Sequence, residues 1–432
     1  MMNNTPISKL DLNIYDFKLD DGLTVYVVPV KKRNNIYVTF TTKYGSRVNE
    51  FIPLGKKEMK KVPLGVAHFL EHKMFEQKNG IDPFDFFSER GASANANTTY
   101  DKTTYLFSGP SSFEENLNYL LNYVQEPYFT SENVEKEKGI IIEEYEMYQD
   151  NPYVRGYNTL LANTFNKDAI KYPVIGIPKT IKSITKEDLY DCYNTFYHPS
   201  NMFLVVTGNV EPNEVYRIVE ENQKEKEFSK PNKIKIKTYN ECDKVNKEFE
   251  EIKLNVTIPK IMIGYKINLD NFDIKDKYKK INYILLILDI LFGETSIANE
   301  KMKNENIIFG AVHLDYILAD NYMLVVIMAE TNERDKFINE VENTWKNSEI
   351  SNEDIEIAKK NTIGSLVALS DDIFSINEKI VQGIIKYGKV LYNSYDLISG
   401  LNMNELNSIF KNIKLTNKTI CLIRWILIKV HN

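Results

Sequence analysis

The residues best equipped for chemistry are His68, Glu71 and His72, in the run Leu64-Gly65-Val66-Ala67-His68-Phe69-Leu70-Glu71-His72-Lys73-Met74-Phe75. Pro63 suits a first helical turn, and the good helix formers after it predict one short helix. On that helix His68 and His72 stand at i and i+4, so both imidazoles leave the same face. Glu71 lies beside them, one residue before the second histidine. Val66, Ala67, Phe69, Leu70, Met74 and Phe75 make the helix apolar almost all round, which predicts burial. Ionisable groups on a buried helix are costly unless they are paired or bind a metal. Two neutral imidazoles one turn apart, with a carboxylate next to them, suit zinc. The imidazoles ligate, and the carboxylate can take a proton from water at an open position.

The order His-x-x-Glu-His reverses the commoner His-Glu-x-x-His and marks the inverted zinc peptidases. The plainer alternative is a hydrogen-bonded histidine pair in a core. A catalytic zinc needs a third protein ligand, usually a carboxylate or another histidine. The remaining histidines, His198, His313 and His431, stand in no metal spacing. Downstream, Ser131 predicts the cap of a long helix with Glu132 and Glu135 in its first turns. Val134, Ile141, Tyr145 and Tyr148 form its inner stripe. Glu137 and Glu144 each follow an inner residue by three positions and lie seven apart, almost on one line along the helix. Glu144 is the candidate third ligand, with Glu143 and Glu146 as open alternatives. Glu137 is placed to orient a ligand or tune the charge.

Several elements must hold these groups in place. Residues 12–30 read as a hairpin turning at Asp20-Asp21-Gly22, and 35–42 as another strand. Residues 50–62 read as a lysine-bearing loop, and 83–90 as a helix ended by Gly91. The small residues Ala92 to Thr98 and the strand 103–108 make a hairpin, or a sheet edge to which a peptide adds through backbone hydrogen bonds. Helices follow at 112–124 and from 131. Residues 150–180 carry loop and turn signals. A helix at 186–197, a buried strand at 201–208 and a helix at 214–222 close the first half. The second half repeats this outline weakly: strands over 249–268, an apolar helix 283–292, strands 309–317 and 322–330, helices 334–347, 352–388 with interruptions, and 404–412, and a final strand 419–428. The expected class is α+β. The domains expected are 1–222 with the metal motif, a charged linker 223–247, and 248–432 without the motif.

Bulk properties narrow the function classes. At 432 residues the chain exceeds one core, and its formal charge of −6 argues against nucleic acid as a partner. Cys192, Cys242 and Cys421 are far apart and suggest a reducing compartment. The opening residues show no charged segment followed by an apolar run, and the longest apolar candidate, 284–292, is short and holds Asp289. The expectation is a cytoplasmic protein with no membrane partner.

Four runs together resemble the insulinase/pitrilysin family of zinc peptidases, which includes the mitochondrial processing peptidase β subunit. They are Gly65 to His72; Gly91-Ala92-Ser93-Ala94-Asn95-Ala96 with Thr103-Thr104-Tyr105; Glu137 to Glu144; and Tyr197-His198-Pro199-Ser200-Asn201-Met202. The resemblance implies one Zn2+ per chain, bound by His68, His72 and Glu144, with Glu71 as general base and Glu137 as the family's second glutamate. It implies that Asn95 and Ala96 lie on the edge strand that receives the substrate backbone. It further implies two homologous domains, each an antiparallel-rich sheet packed with helices, forming one half of a clamshell. A second half, from another copy or a related chain, would complete a chamber around a peptide. Active members carry an arginine and a tyrosine early in the C-terminal half; here Lys303 and Phe309 stand near those places. Lysine lacks the bidentate fork and phenylalanine lacks a donor. Those departures favour a second reading, a peptide-binding or scaffolding subunit that pairs with an active partner.

Overall fold

A computed structural model describes residues 2–231, 233–392 and 394–425. The first sheet has seven strands. Their spatial order is Asn3–Ile7, Leu12–Lys18, Thr24–Pro29, Met202–Gly208, Ile36–Thr42, Thr103–Gly109 and Ser93–Thr98. Thr24–Pro29 runs parallel to Met202–Gly208, and the other neighbouring strands are antiparallel. The second sheet has five strands, in the order Phe249–Lys253, Lys418–Arg424, Lys260–Asn268, Tyr322–Glu330 and Phe309–Ala319. The α+β class is as expected. The lysine-bearing loop contains a short ribbon that pairs Glu50–Phe51 with Lys60–Lys61.

The chain forms two compact units, neither contiguous in sequence. One comprises Met1–Tyr145, Pro173–Thr238 and Leu366–Asn393; the other comprises Glu146–Tyr172, Tyr239–Ser365 and Ser394–Asn432. The division expected from the sequence, 1–222 and 248–432, differs from this, and burial explains why. In the first unit, helix Ile373–Tyr387 packs Ile376, Ile380, Val381 and Ile384 against Ile14, Val28, Phe203 and Val205 of the sheet. In the second unit, helix Pro152–Thr164 lies on its sheet, with Gly156 under the side chains of Met262 and Ile423. Each helix joins the sheet that buries its apolar face, whatever its place in the chain.

Helix Pro152–Thr164 replaces the loop expected there. Asn151 accepts from the N–H groups of Tyr153 and Val154, and Pro152 occupies the first turn. Another correction concerns the helix Ser131–Gln149. Thr130, not Ser131, makes the cap, exchanging hydrogen bonds with Asn133 at 3.1 and 2.9 Å. The final strand ends at Arg424, and positions 426–428 of the expected strand lie outside the described residues. The run Lys277–Asn304 reaches the length and mean hydropathy of a membrane span, but 61% of its most apolar window is buried. Helix Lys277–Phe292 is therefore a core helix of the second unit, carrying Tyr283, Ile284, Ile287 and Phe292 inward.

Candidate metal centre

The histidine pair rides on helix Val66–Met74, whose Val66, Ala67, Phe69, Leu70 and Met74 are buried. The helix starts later than Pro63 suggested, at a Gly65 cap with φ of 91°. A Cβ on Gly65 would lie 2.3 Å from the Ile175 carbonyl oxygen, so only glycine lets the two backbones meet. That close approach fixes where the helix begins, and hence where His68 and His72 point. Their rings lie 4.6 Å apart, centre to centre.

Helix Ser131–Gln149, anchored by buried Val134 and Ile141, brings Glu137 and Glu144 to the pair. Glu144 Oε2 lies 3.7 Å from His68 Nε2 and 3.5 Å from His72 Nε2. Both separations are too long for a good hydrogen bond. Glu144 Oε2 is buried and accepts no hydrogen bond. Donors around a tetrahedral zinc, each about 2.0–2.2 Å from the ion, stand about 3.3–3.5 Å apart. His68, His72 and Glu144 thus fit a metal on spacing, donor chemistry and the orphaned oxygen. Among the described residues they form the one group of this kind. Glu143 and Glu146, the alternatives left open by sequence, are exposed and outside it.

His72 Nδ1 lies 3.1 Å from Glu137 Oε1, the contact that orients an imidazole with Nε2 toward an ion. His68 Nδ1 has no such partner. Its ring is held by packing, and burial beside His72 pushes its pKa down to about 3, so it is neutral and available as a ligand. His72 moves the other way. Burial lowers its pKa, but the Glu137 hydrogen bond and the charges of Glu71, Glu137 and Glu144 outweigh this and raise it. Glu137 is desolvated too, yet His72 and Lys73 hold its carboxyl below the usual range.

Glu71 is buried and belongs to neither arrangement. Burial raises its pKa, against the lowering effects of its hydrogen bond from Thr98 Oγ1 at 2.5 Å and of the nearby His72. Thr98 ends strand Ser93–Thr98, which among the described residues pairs only with Thr103–Gly109 and is the terminal strand of its sheet. Asn95 is exposed and Ala96 half-buried on this strand, and the Asn95 side chain accepts from the Ala96 N–H at 2.8 Å. The strand is thus one arm of a hairpin and, among the described residues, also an edge of the sheet, so both readings of the small residues hold. Its link to Glu71 was not legible, because a threonine in a polar strand gives no sign of its partner. Lys303 sits exposed on helix Ile297–Asn304 and Phe309, 46% exposed, begins the edge strand of the second sheet; both lie in the second unit.

Comparison with known proteins gives a consistent result. Residues 41–177 match the family described as insulinase (peptidase family M16), and 183–362 match the M16 inactive domain. An uncharacterized zinc protease of Bacillus subtilis, YmfH, is 38% identical over 429 residues, covering 98% of this chain and 99% of its own. This chain belongs to the M16 family. The crystal structure of an M16-like peptidase from Alicyclobacillus acidocaldarius matches at a TM-score of 0.89 and 28% identity, over 96% of this chain and 98% of that one. The periplasmic protease PqqL of Escherichia coli shares the fold at a TM-score of 0.73 and 17% identity, with 98% of this chain covering 48% of that one.

Proposed function

We propose that this M16 chain is a zinc-dependent endopeptidase acting on short or unfolded peptides, with His68, His72 and Glu144 holding the ion and Glu71 as general base. The observation that carries the reading is the orphaned Glu144 oxygen between two imidazoles, with Glu71 close by and left out of the ligand group. Bound there, zinc would polarise a peptide carbonyl and make water more acidic. Glu71 takes the water's proton on its carboxylate and passes it to the departing amine. Thr98 holds the carboxylate in place, beside an edge strand that suits an extended peptide at Asn95 and Ala96 once the Asn95 side chain releases the Ala96 N–H. Selection by strand-like fit favours unfolded peptides over folded proteins.

The match to about half of PqqL supports a chamber built from two such halves, the second being another copy or a related chain. A cytoplasmic location rests on the cysteines: all are free, and Cys192 and Cys421 are buried. A peptide-binding subunit without turnover is the second reading, supported by Lys303, Phe309 and the match of 183–362 to the inactive domain. The two are separated by hydrolysis of a quenched random-peptide mixture, with wild type and Glu71→Gln, alone and with candidate partner chains. Turnover by wild type and none by Glu71→Gln supports the peptidase. Zinc binding without turnover under any condition supports the binding subunit.

A further inference from the structure

Neither the ligand set nor the general base uses Lys73, although it follows His72 directly on the motif helix. Its side chain is 1% exposed. An ammonium group at that depth is costly unless its charge is met. A methionine or leucine would serve the packing of this apolar helix without that cost. Two carboxylates meet the charge: Glu76 Oε2, one turn on, and Glu137 Oε2 at 3.5 Å. The other oxygen of Glu137, Oε1, is the atom 3.1 Å from His72 Nδ1. One carboxylate is therefore shared, oxygen by oxygen, between successive residues of the motif helix, which fixes its rotation. A carboxylate oxygen accepting at Nδ1 fixes the imidazole tautomer with its proton there. The lone pair then stays on Nε2, the atom that faces Glu144.

We propose that Lys73 is a positioning residue of the metal centre: it holds the Glu137 carboxylate turned to His72, so that His72 presents Nε2 to the ion. This rests on the metal reading above and extends it to a residue that touches no ligand position. The test is a double-mutant cycle on zinc affinity. Apo protein is prepared by chelation, zinc affinity is read by competition with a chromophoric chelator, and the thermal midpoint of each apo variant reports folding. Lys73→Met should weaken zinc about tenfold to a hundredfold, the range for residues that orient a metal ligand. Glu76→Gln, which removes only the outer partner, should stay within about threefold. Lys73→Met placed on Glu137→Gln should add no further loss, since the link from Lys73 to His72 is already cut at Glu137. That arm holds no unpaired buried charge, so it reads the coupling even if Lys73→Met alone does not fold. Additive losses, or a folded Lys73→Met with wild-type affinity, overturn the inference and leave the metal reading standing. A wild-type chain that binds no zinc overturns both.

Discussion

The two units are built on one plan and differ in what the plan carries. In each sheet the same five-strand path recurs: Thr24–Pro29, Met202–Gly208, Ile36–Thr42, Thr103–Gly109 and Ser93–Thr98 in one, and Phe249–Lys253, Lys418–Arg424, Lys260–Asn268, Tyr322–Glu330 and Phe309–Ala319 in the other. The sense of pairing also agrees, one parallel pair followed by antiparallel ones. After the central strand comes a buried helix in both. In the first unit it is Val66–Met74, with two imidazoles and a carboxylate among its apolar residues. In the second it is Lys277–Phe292, longer and filled with isoleucine and leucine, and its Asp289 is exposed. The next long helix after the edge hairpin tells the same story: Ser131–Gln149 brings Glu137 and Glu144 to the histidines, whereas Asn352–Leu369 buries only Ile355 and Ala358. The same scaffold thus carries packing in one unit and the candidate metal group in the other. The difference is a handful of polar side chains whose burial is tolerable because they meet each other, or an ion.

The largest expected effect comes from breaking that asymmetry at its base. Glu71→Gln should lower kcat/KM about a hundredfold to ten-thousandfold with zinc content unchanged. Asp289→Asn, on the corresponding helix, should leave kcat/KM within about twofold. Steady-state kinetics with metal analysis checks both, and an equal loss from the two variants would show that the division of labour is misread.

The next effect concerns the helix that completes the first unit from far along the chain. Ile380 is 3% exposed against the first sheet. Ile380→Ala should cost about 2–5 kcal/mol in urea unfolding. A chain ending at residue 238 lacks this helix and should show no cooperative transition; one that melts like the full protein would make the helix dispensable.

In the second unit the buried charge is structural. Glu241 is hydrogen-bonded by the N–H groups of Asn166, Lys167 and Asp168 and by Lys266 at 2.9 Å. Burial opposes ionisation, but these donors win and pull its pKa from 4.5 to about 2. A depressed carboxyl pKa stabilises the fold above the unfolded value, and this is lost as pH falls through the folded one. Wild type should therefore lose stability between pH 4.5 and 2 by a step that Glu241→Gln lacks, read from thermal midpoints across that window. At neutral pH Glu241→Gln should cost about 1–3 kcal/mol. The smallest effect is Thr98→Val, which removes the hydroxyl that donates to Glu71 and also contacts Thr103 Oγ1 at 3.3 Å. It should lower kcat about tenfold while zinc affinity stays within about twofold, as steady-state kinetics and chelator competition would show.

Most of the site was legible because its signals are local in sequence. The histidine spacing fixes one face of a helix, and the seven-residue separation of Glu137 and Glu144 fixes a line on another. Helix phase also favoured Glu144 over Glu143 and Glu146, the choice the geometry makes. What escaped depends on distant partners. Lys73 and Thr98 look ordinary until Glu137 and Glu71 are brought beside them. The exchange of helices Pro152–Thr164 and Ile373–Tyr387 between sequence halves has no local signature, so contiguous boundaries were the natural expectation. The first of those helices was visible in Asn151-Pro152, a cap and a first-turn residue that also read as a turn.

The most direct test of the central claim is zinc per chain, measured by elemental analysis on purified wild type, Glu144→Ala and Glu143→Ala. The account predicts one zinc per chain in wild type and in Glu143→Ala, and a large loss in Glu144→Ala. No zinc in wild type, or retention in Glu144→Ala with loss in Glu143→Ala, would contradict it.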